Sequence, residues 1–287
     1  MVFKRIKQKL IRILFYEQWS LLVCNLEGTI IKPIVPPKNY IWADPFPIEY
    51  NNKTYIFVEQ QIGSNNGTLG FIELYPDLTY SSFVQILEKD YHLSFPNVFT
   101  VIENDQTIWY MIPETHENKT IDLYKATNFP YAWNYEKTLM KNIEAVDSTV
   151  FYYDSYWWLF TSIGIKSYLR NKNLSLFYSD TFPSDNWIPH PQNPICSNLS
   201  NSRLAGAICL NKNTGKLNRS AQNCVKNYGT EVNINEILQL DTFSYKEKKI
   251  NTILPERSSH AVCTHTVNYS KHFILRDIKT RILCPFN

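Results

Sequence analysis

The stretch YIWADPFPIEYNNKTYIFVEQ, residues 40–60, places an Ala-Asp-Pro corner ahead of a pair of runs rich in aromatic and β-branched residues. Residues of these types favour β-strands, and the Asn-Asn between the runs is typical of a turn. Two more runs of the same kind follow, TLGFIELY from residue 68 and SFVQIL from residue 82. The stretch therefore opens a predicted meander of strands, with Asp44 at its entry.

The same arrangement recurs along the chain. Further copies begin at SFPNVF (residue 94), AVDSTVF (145), SRLAGAICL (202) and, in partial form, HAVCTHTVNY (260). Alignment of the strands TYIF, TIWY and YWWL places Asp44 level with Asn97 and Asp147, at a spacing of about 50 residues. Copies of this length with four strands each are typical of propeller blades.

These repeats predict an all-β protein with a five-bladed β-propeller at residues 17–287. The fifth copy lacks a convincing fourth strand, so we expect the orphan strand QWSLLVCNL, residues 18–26, to complete the last blade. The fourth strand of the third blade is expected at WIPHPQNPIC, residues 187–196.

Residues 1–16, MVFKRIKQKLIRILFY, alternate basic and apolar residues at helical spacing. They predict a short amphipathic helix that is too interrupted by charge to cross a membrane. Two interpretations stay open: peripheral contact with an anionic membrane surface through this segment, or packing of the helix on the propeller.

The amino-acid composition argues against some classes of function. The chain has 287 residues, of which 44% are hydrophobic and 15% aromatic, so it can bury a large core. A net charge of +3, without basic runs interleaved with aromatics, argues against nucleic-acid binding. The six cysteines form no Cys-x-x-Cys pair, which favours a reduced cytoplasmic protein. We expect no metal and no cofactor.

In a propeller the corners of the innermost strands converge at one mouth of the ring. We therefore expect a site there for a sugar, sugar-phosphate or nucleotide-sugar, and its predicted ligand-binding residues are Asp44, Asn97, Glu114, Asp147, Arg203 and His265. Two uses of Arg203 remain open, since its guanidinium could hold a phosphate or carboxylate of the ligand or neutralise the neighbouring acids. Asp44 could instead bond the backbone of its own turn, and a salt bridge with Arg203 is an equal alternative for Glu114.

The segments WADPFPIEYNNKTYIF and AVDSTVFYYDSYWWLF resemble the blade starts of the five-bladed propeller glycosidases, the arabinanases and β-xylosidases. The resemblance implies that Asp44 is a general base and that Asp147 tunes and positions the reacting groups. The glutamate that serves these enzymes as general acid in the fourth blade is replaced near Arg203, which cannot donate a proton. If the chain is an enzyme, Glu114 is the remaining candidate for that role.

A closer resemblance covers nearly the whole chain. The motifs YHLSFPNVF, WYMIPETHENKTIDLYKATNFP, AVDSTVF, SRLAGAI and YGTEVNINEI, in this order, resemble the amino-terminal domain of the glucosamine inositolphosphorylceramide transferase family and its bacterial relatives. One departure is Asn223, where relatives tend to have an aspartate. In that family the propeller lies beside glycosyltransferase or formyltransferase domains.

This resemblance implies a carbohydrate-binding propeller in the synthesis of a surface polysaccharide or glycolipid, in the cytoplasm and alongside a transferase partner. Whether the chain is itself an enzyme stays open. The alternatives are a glycosyl-transferring enzyme and a glycoside hydrolase with Asp44 as its base.

Overall fold

The structure is a computed structural model, and it describes residues 15–211, 214–256 and 260–283. Five antiparallel sheets are arranged as the blades of a β-propeller, which confirms the predicted fold. The predicted helix at 1–16 lies outside the described residues, except for Phe15 and Tyr16, which belong to the first strand instead.

The strands follow the chain blade by blade. The chain begins with β1 (Phe15–Cys24) and β2 (Ile30–Ile34), which belong to the fifth blade. The first blade comprises β3 (Tyr40–Tyr50), β4 (Lys53–Ile62), β5 (Thr68–Leu74) and β6 (Val84–Leu87). The second comprises β7 (Ser94–Glu103), β8 (Gln106–Glu114), β9 (Thr120–Asn128) and β10 (Ala132–Lys141).

The third blade comprises β11 (Ala145–Tyr153), β12 (Tyr156–Ile163), β13 (Asn173–Ser179), β14 (Ile188–Pro189) and β15 (Cys196–Ser197). The fourth comprises β16 (Cys209–Asn211), β17 (Lys216–Asn223), β18 (Glu231–Leu240) and β19 (Tyr245–Ile253). The fifth adds β20 (Ala261–Cys263), β21 (Val267–Tyr269) and β22 (Ile274–Leu283). Two helical turns interrupt the strands, a 3-10 helix at His116–Asn118 and α1 at Ser167–Arg170.

The middle strands are buried on both faces. Four consecutive residues of β4, from Tyr55 to Val58, are buried, because both faces of a blade pack against neighbouring blades. Trp158 of β12 lies in the core with Phe57, and Trp109 stacks on Phe129 at a ring distance of 3.9 Å. These tryptophans therefore serve packing between and within the blades.

The two ends of the chain meet in the fifth blade. Strand β1 pairs with β22 along its whole length, from Phe15 opposite Leu283 to Cys24 opposite Ile274. The strand begins and ends earlier than the predicted segment 18–26, and β2 adds an outer strand beside it. The amino-terminal strand thus closes the ring.

The third blade departs from the prediction. In place of one long fourth strand at 187–196, β14 and β15 contribute two residues each, and both pair with β13. Three prolines, at positions 189, 191 and 194, explain this, since a proline has no N–H to donate to a ladder.

Candidate functional site

In each of the first three blades, the innermost strand contains a β-bulge at the predicted corner. Ala43 pairs with Glu59 and Phe46 with Phe57, so Asp44 and Pro45 stand unpaired between them. Asp44 has a φ of 52°, in the left-handed region that Asp tolerates better than most residues. The bulge turns this side chain away from the sheet, toward the mouth of the ring.

The register of the bulges identifies the equivalent residues. In the third blade the unpaired residue with positive φ is Asp147, at 53°, as the sequence alignment placed it. In the second blade it is Phe95, at 48°, and not Asn97. Asn97 lies two positions further along β7, where it is buried and donates a hydrogen bond to the Ser148 carbonyl at 3.3 Å.

A pocket of about 280 Å³ occupies the mouth. Four of the six predicted residues line it, and so do several that the sequence did not single out. The predicted residues are Asp44, Glu114, Arg203 and His265, and the main additions are Trp19, Glu59, His92 and Tyr228. Asp147 lies beside Arg203 without lining the pocket, and Asn97 does not line it either.

Asp44 ties three blades together. Its Oδ2 accepts a hydrogen bond from the Phe95 N–H of the second blade at 3.2 Å, and its Oδ1 accepts one from the Thr266 hydroxyl of the fifth. Its own N–H donates to Asp277 Oδ2 at 3.1 Å. Burial raises the pKa of Asp44 to about 6, although the charge of His265 opposes this rise.

His265 is held in one orientation. Its Nδ1 lies 2.6 Å from Asp277 Oδ2, and Trp19 stacks on its ring at 4.1 Å. Tyr228 meets the same ring edge-on at 5.4 Å. Burial alone would lower the pKa of His265, but the carboxylates of Asp277 and Asp44 outweigh burial and raise it to about 9.

Arg203 is bound on several sides by the protein itself. Its Nε and one terminal nitrogen hold the two oxygens of Asp147 at 2.6 and 3.2 Å, and the same terminal nitrogen lies 3.4 Å from Glu114. The other terminal nitrogen donates to Asn171 at 3.0 Å, and the guanidinium lies over the Tyr228 ring at 4.9 Å. Burial works against its charge, but the Asp147 carboxylate raises the pKa of Arg203 well above its ordinary value. Of its two predicted uses, these contacts match neutralisation of the acids.

Two glutamates occupy equivalent positions on neighbouring blades. Glu59 and Glu114 each stand opposite the residue before a bulge, and each meets a histidine. His92 lies 3.3 Å from Glu59, and His116 lies 2.8 Å from Glu114. Burial opposes ionisation of Glu114, but the close contact with His116 and the charge of Arg203 lower its pKa to about 2. Glu114 is therefore a poor proton donor at neutral pH.

A metal ion has one possible location among the described residues. Asp44, His265 and Asp277 offer ligand atoms within 4.8 Å of one another. The short contact of His265 with Asp277 and the raised pKa of His265 instead fit a protonated imidazole in an ion pair. The expectation of a site without metal remains a prediction.

The pKa of His265 predicts a pH dependence of stability. Because its folded pKa, about 9, lies above its ordinary 6.5, it stabilises the fold in full below pH 6.5, and this contribution is lost as the pH rises through 9. We expect the free energy of unfolding to fall by roughly 1–3 kcal/mol over this range. Urea denaturation at a series of pH values measures it, and His265→Gln should flatten the slope. An equal slope in both proteins would contradict the assignment.

Within the described residues there is no helix of sufficient length and apolarity to span a membrane.

Comparisons with known proteins place this site in context. The plant glucosamine inositolphosphorylceramide transferases 1 of Oryza sativa subsp. japonica and Arabidopsis thaliana are both 32% identical to the chain, over 225 and 222 residues. The alignments cover 77% and 75% of this chain but only 29% and 28% of those proteins, so the chain spans less than a third of their length.

Solved structures support the fold. A family 117 glycoside hydrolase of the marine bacterium Zobellia galactanivorans superposes with a TM-score of 0.57 over 92% of this chain and 90% of its own, at 12% identity. Such low identity shows a shared fold alone.

Residues 21–278 match the sequence profile described as glucosamine inositolphosphorylceramide transferase 1, N-terminal, which confirms the resemblance seen in the sequence. The chain therefore belongs to the family of these amino-terminal domains.

Proposed function

We propose that this propeller binds an uncharged sugar at its mouth and acts beside a transferase in the synthesis of a glycolipid or surface polysaccharide. The setting comes from its relatives, which are named as glucosamine inositolphosphorylceramide transferases. The cytoplasm remains the proposed compartment. The observation that carries the choice of ligand is the pairing of charges around the pocket.

Among the described residues, each cationic side chain that lines the pocket already has an acidic partner. The pairs are Arg203 with Asp147, His265 with Asp277, His92 with Glu59, and Arg170 with Glu144. A phosphate or carboxylate would therefore meet acids and find no unpaired cation. Sugar hydroxyls, in contrast, can donate to carboxylate oxygens, and they cost less to desolvate than a phosphate or carboxylate because they carry no charge.

The pocket also offers an aromatic surface. Tyr228 lines the pocket and is 40% exposed, and a sugar ring can place its C–H face against such a side chain. Glu59 and Asp44 line the same pocket from the first blade, as acceptors for hydroxyls. This combination of one aromatic and several acceptors supports carbohydrate binding.

Glycoside hydrolysis remains the second candidate because Asp44, with a pKa of about 6, suits a general base. The reaction also needs a protonated acid across the scissile bond. Glu114 does not meet this need, since its pKa is about 2 and Arg203 and His116 hold its oxygens. A binding role is therefore favoured.

Isothermal calorimetry tests the proposal with pentoses, hexoses and their 1-phosphates. We expect an uncharged sugar to bind at least tenfold more tightly than its phosphate, and Glu59→Gln to weaken that binding by about tenfold, through loss of a charged acceptor. Glu73→Gln is the matched control, because Glu73 pairs with Lys53 away from the pocket.

Tighter binding of the phosphates, or no binding of any sugar, would refute the proposed ligand class. Assays of the same sugars as oligosaccharides and aryl glycosides should show no release of reducing ends. Turnover that Asp44→Ala abolishes would establish the hydrolase instead.

A further inference from the structure

Two loops at the mouth share a sequence pattern, of which the proposed sugar site uses only Tyr228. They join the second and third strands of neighbouring blades, β12 to β13 and β17 to β18. Residues 165–168 read Ile-Lys-Ser-Tyr, and residues 225–228 read Val-Lys-Asn-Tyr. Both tetrapeptides are exposed along their whole length, and we call them the rim loops.

The apolar side chains of the rim loops point into solvent. Ile165 is 81% exposed, Val225 60% and Tyr168 58%, whereas Tyr228 packs against Arg203 and His265 in the pocket. The corresponding loops of the first two blades, Gly-Ser-Asn-Asn-Gly at 63–67 and Thr-His-Glu-Asn-Lys at 115–119, contain no large aliphatic residue. The exposed apolar residues of these loops thus lie on the side of the mouth that the third and fourth blades form.

The two rim loops are neighbours and have defined conformations. Arg203 lies between them, since it donates to Asn171 just beyond the first loop and lies over Tyr228 of the second. Arg170 holds the first loop through Glu144 and the Gly164 carbonyl, both at 3.2 Å. In the second loop the Val225 N–H donates to Asn223 at 3.1 Å.

The charge of this side of the rim is positive. Residues 164–172 and 224–230 contain three lysines and no acid, and their one arginine, Arg170, is paired with Glu144. The acids of the pocket behind them, including Asp44, Glu59 and Glu114, are buried and paired.

We propose that the rim loops dock the mouth of the propeller on an anionic membrane surface. Aliphatic residues with a lysine beside them and a tyrosine nearby suit the boundary between acyl chains and headgroups. The lysines supply attraction to anionic lipid. Docking in this orientation turns the sugar pocket toward the headgroups. The docking itself does not depend on which sugar the pocket binds.

Sedimentation of the full chain with phosphatidylcholine vesicles, with and without phosphatidylserine, tests the docking. We expect binding to the anionic vesicles, and we expect the double variants Ile165→Ser/Val225→Ser and Lys166→Ala/Lys226→Ala each to lower the partition coefficient by about tenfold. The matched control is Leu238→Ser/Phe243→Ser, two exposed apolar residues at the opposite end of the fourth blade, which should change it less than twofold.

Absence of wild-type binding to the anionic vesicles would overturn the proposal. So would unchanged binding of both rim variants, which would assign the attraction to residues 1–14 or leave the rim to a protein partner. No sugar is present in this experiment, and the sugar titrations contain no lipid. Failure of one proposal is therefore distinguishable from failure of the other.

Discussion

Replacing Arg203 with leucine should lower the free energy of unfolding by about 3–5 kcal/mol. The change leaves Asp147 and Glu114 buried without their shared cation, and the carboxylates then repel each other in a poorly solvated place. Breaking one side of a buried ion pair is costly for this reason, whereas the intact pair adds little. Chemical denaturation monitored by tryptophan fluorescence measures the loss.

Three further variants identify its cause. Arg203→Lys keeps the charge but not the planar fork on Asp147, so we expect an intermediate loss. Asp147→Asn in the Arg203→Leu background should recover part of the stability, because it removes one unpaired charge. Lys216→Ala breaks the exposed pair with Glu236 and should change stability by no more than about 1 kcal/mol. Equal losses for Arg203→Leu and Lys216→Ala would show that the buried network is not the cause.

The number of blades could be predicted from the sequence because the blades have similar lengths and because each contains the same pattern of strand-forming residues. Few folds other than a propeller are compatible with five copies of one strand pattern. The strand that the last copy lacks is supplied by the additional strand near the amino terminus. The short β14 and β15 could also have been predicted, because three prolines within six residues prevent a regular ladder.

The equivalence of Asp44 and Asn97 was wrong by two residues, and the reason is general. In the structure Glu59 corresponds to Glu114, but Asp44 corresponds to Phe95, because each strand of the β7–β8 hairpin is two residues longer than its counterpart in the β3–β4 hairpin. A strand has a side-chain period of two, so a shift of two residues keeps every side chain on its original face. Both strands are aromatic and aliphatic throughout, so composition cannot detect such a shift.

The sequence located Arg203 and His265 at the mouth but not what surrounds them. Asn171 reaches Arg203 from a loop whose path no local pattern specifies. Trp19 comes from the strand that closes the ring, so it reaches the pocket only once the two chain ends have paired. Asp277 lies within a β-strand run, FILRDIK, where an acid resembles an exposed position. Arg276 and Lys279 flank Asp277 in the same run, so nothing in the sequence marks this acid as fully buried.

Asp277→Ala should be as destabilising as the loss of Arg203, at about 3–5 kcal/mol. The side chain is fully buried on β22, where its oxygens accept hydrogen bonds from the backbone N–H groups of Asp44, His265 and Thr266 and contact the His265 ring. Its removal leaves three buried donors without acceptors and one imidazole without its counter-ion, at the junction between the first and last blades.

The matched control for this variant is Asp122→Ala. Asp122 is also a buried aspartate, but it accepts its hydrogen bonds from the hydroxyls of Thr120 and Thr138, within one blade. We expect a loss of about 1–2 kcal/mol there, since hydroxyls can rotate toward other acceptors. Proton NMR gives a second readout, because the His265 pKa should fall toward its ordinary value in Asp277→Ala and stay near 9 in Asp122→Ala. Similar losses in the two variants with an unchanged His265 titration would mean that Asp277 does not hold the mouth of the ring together.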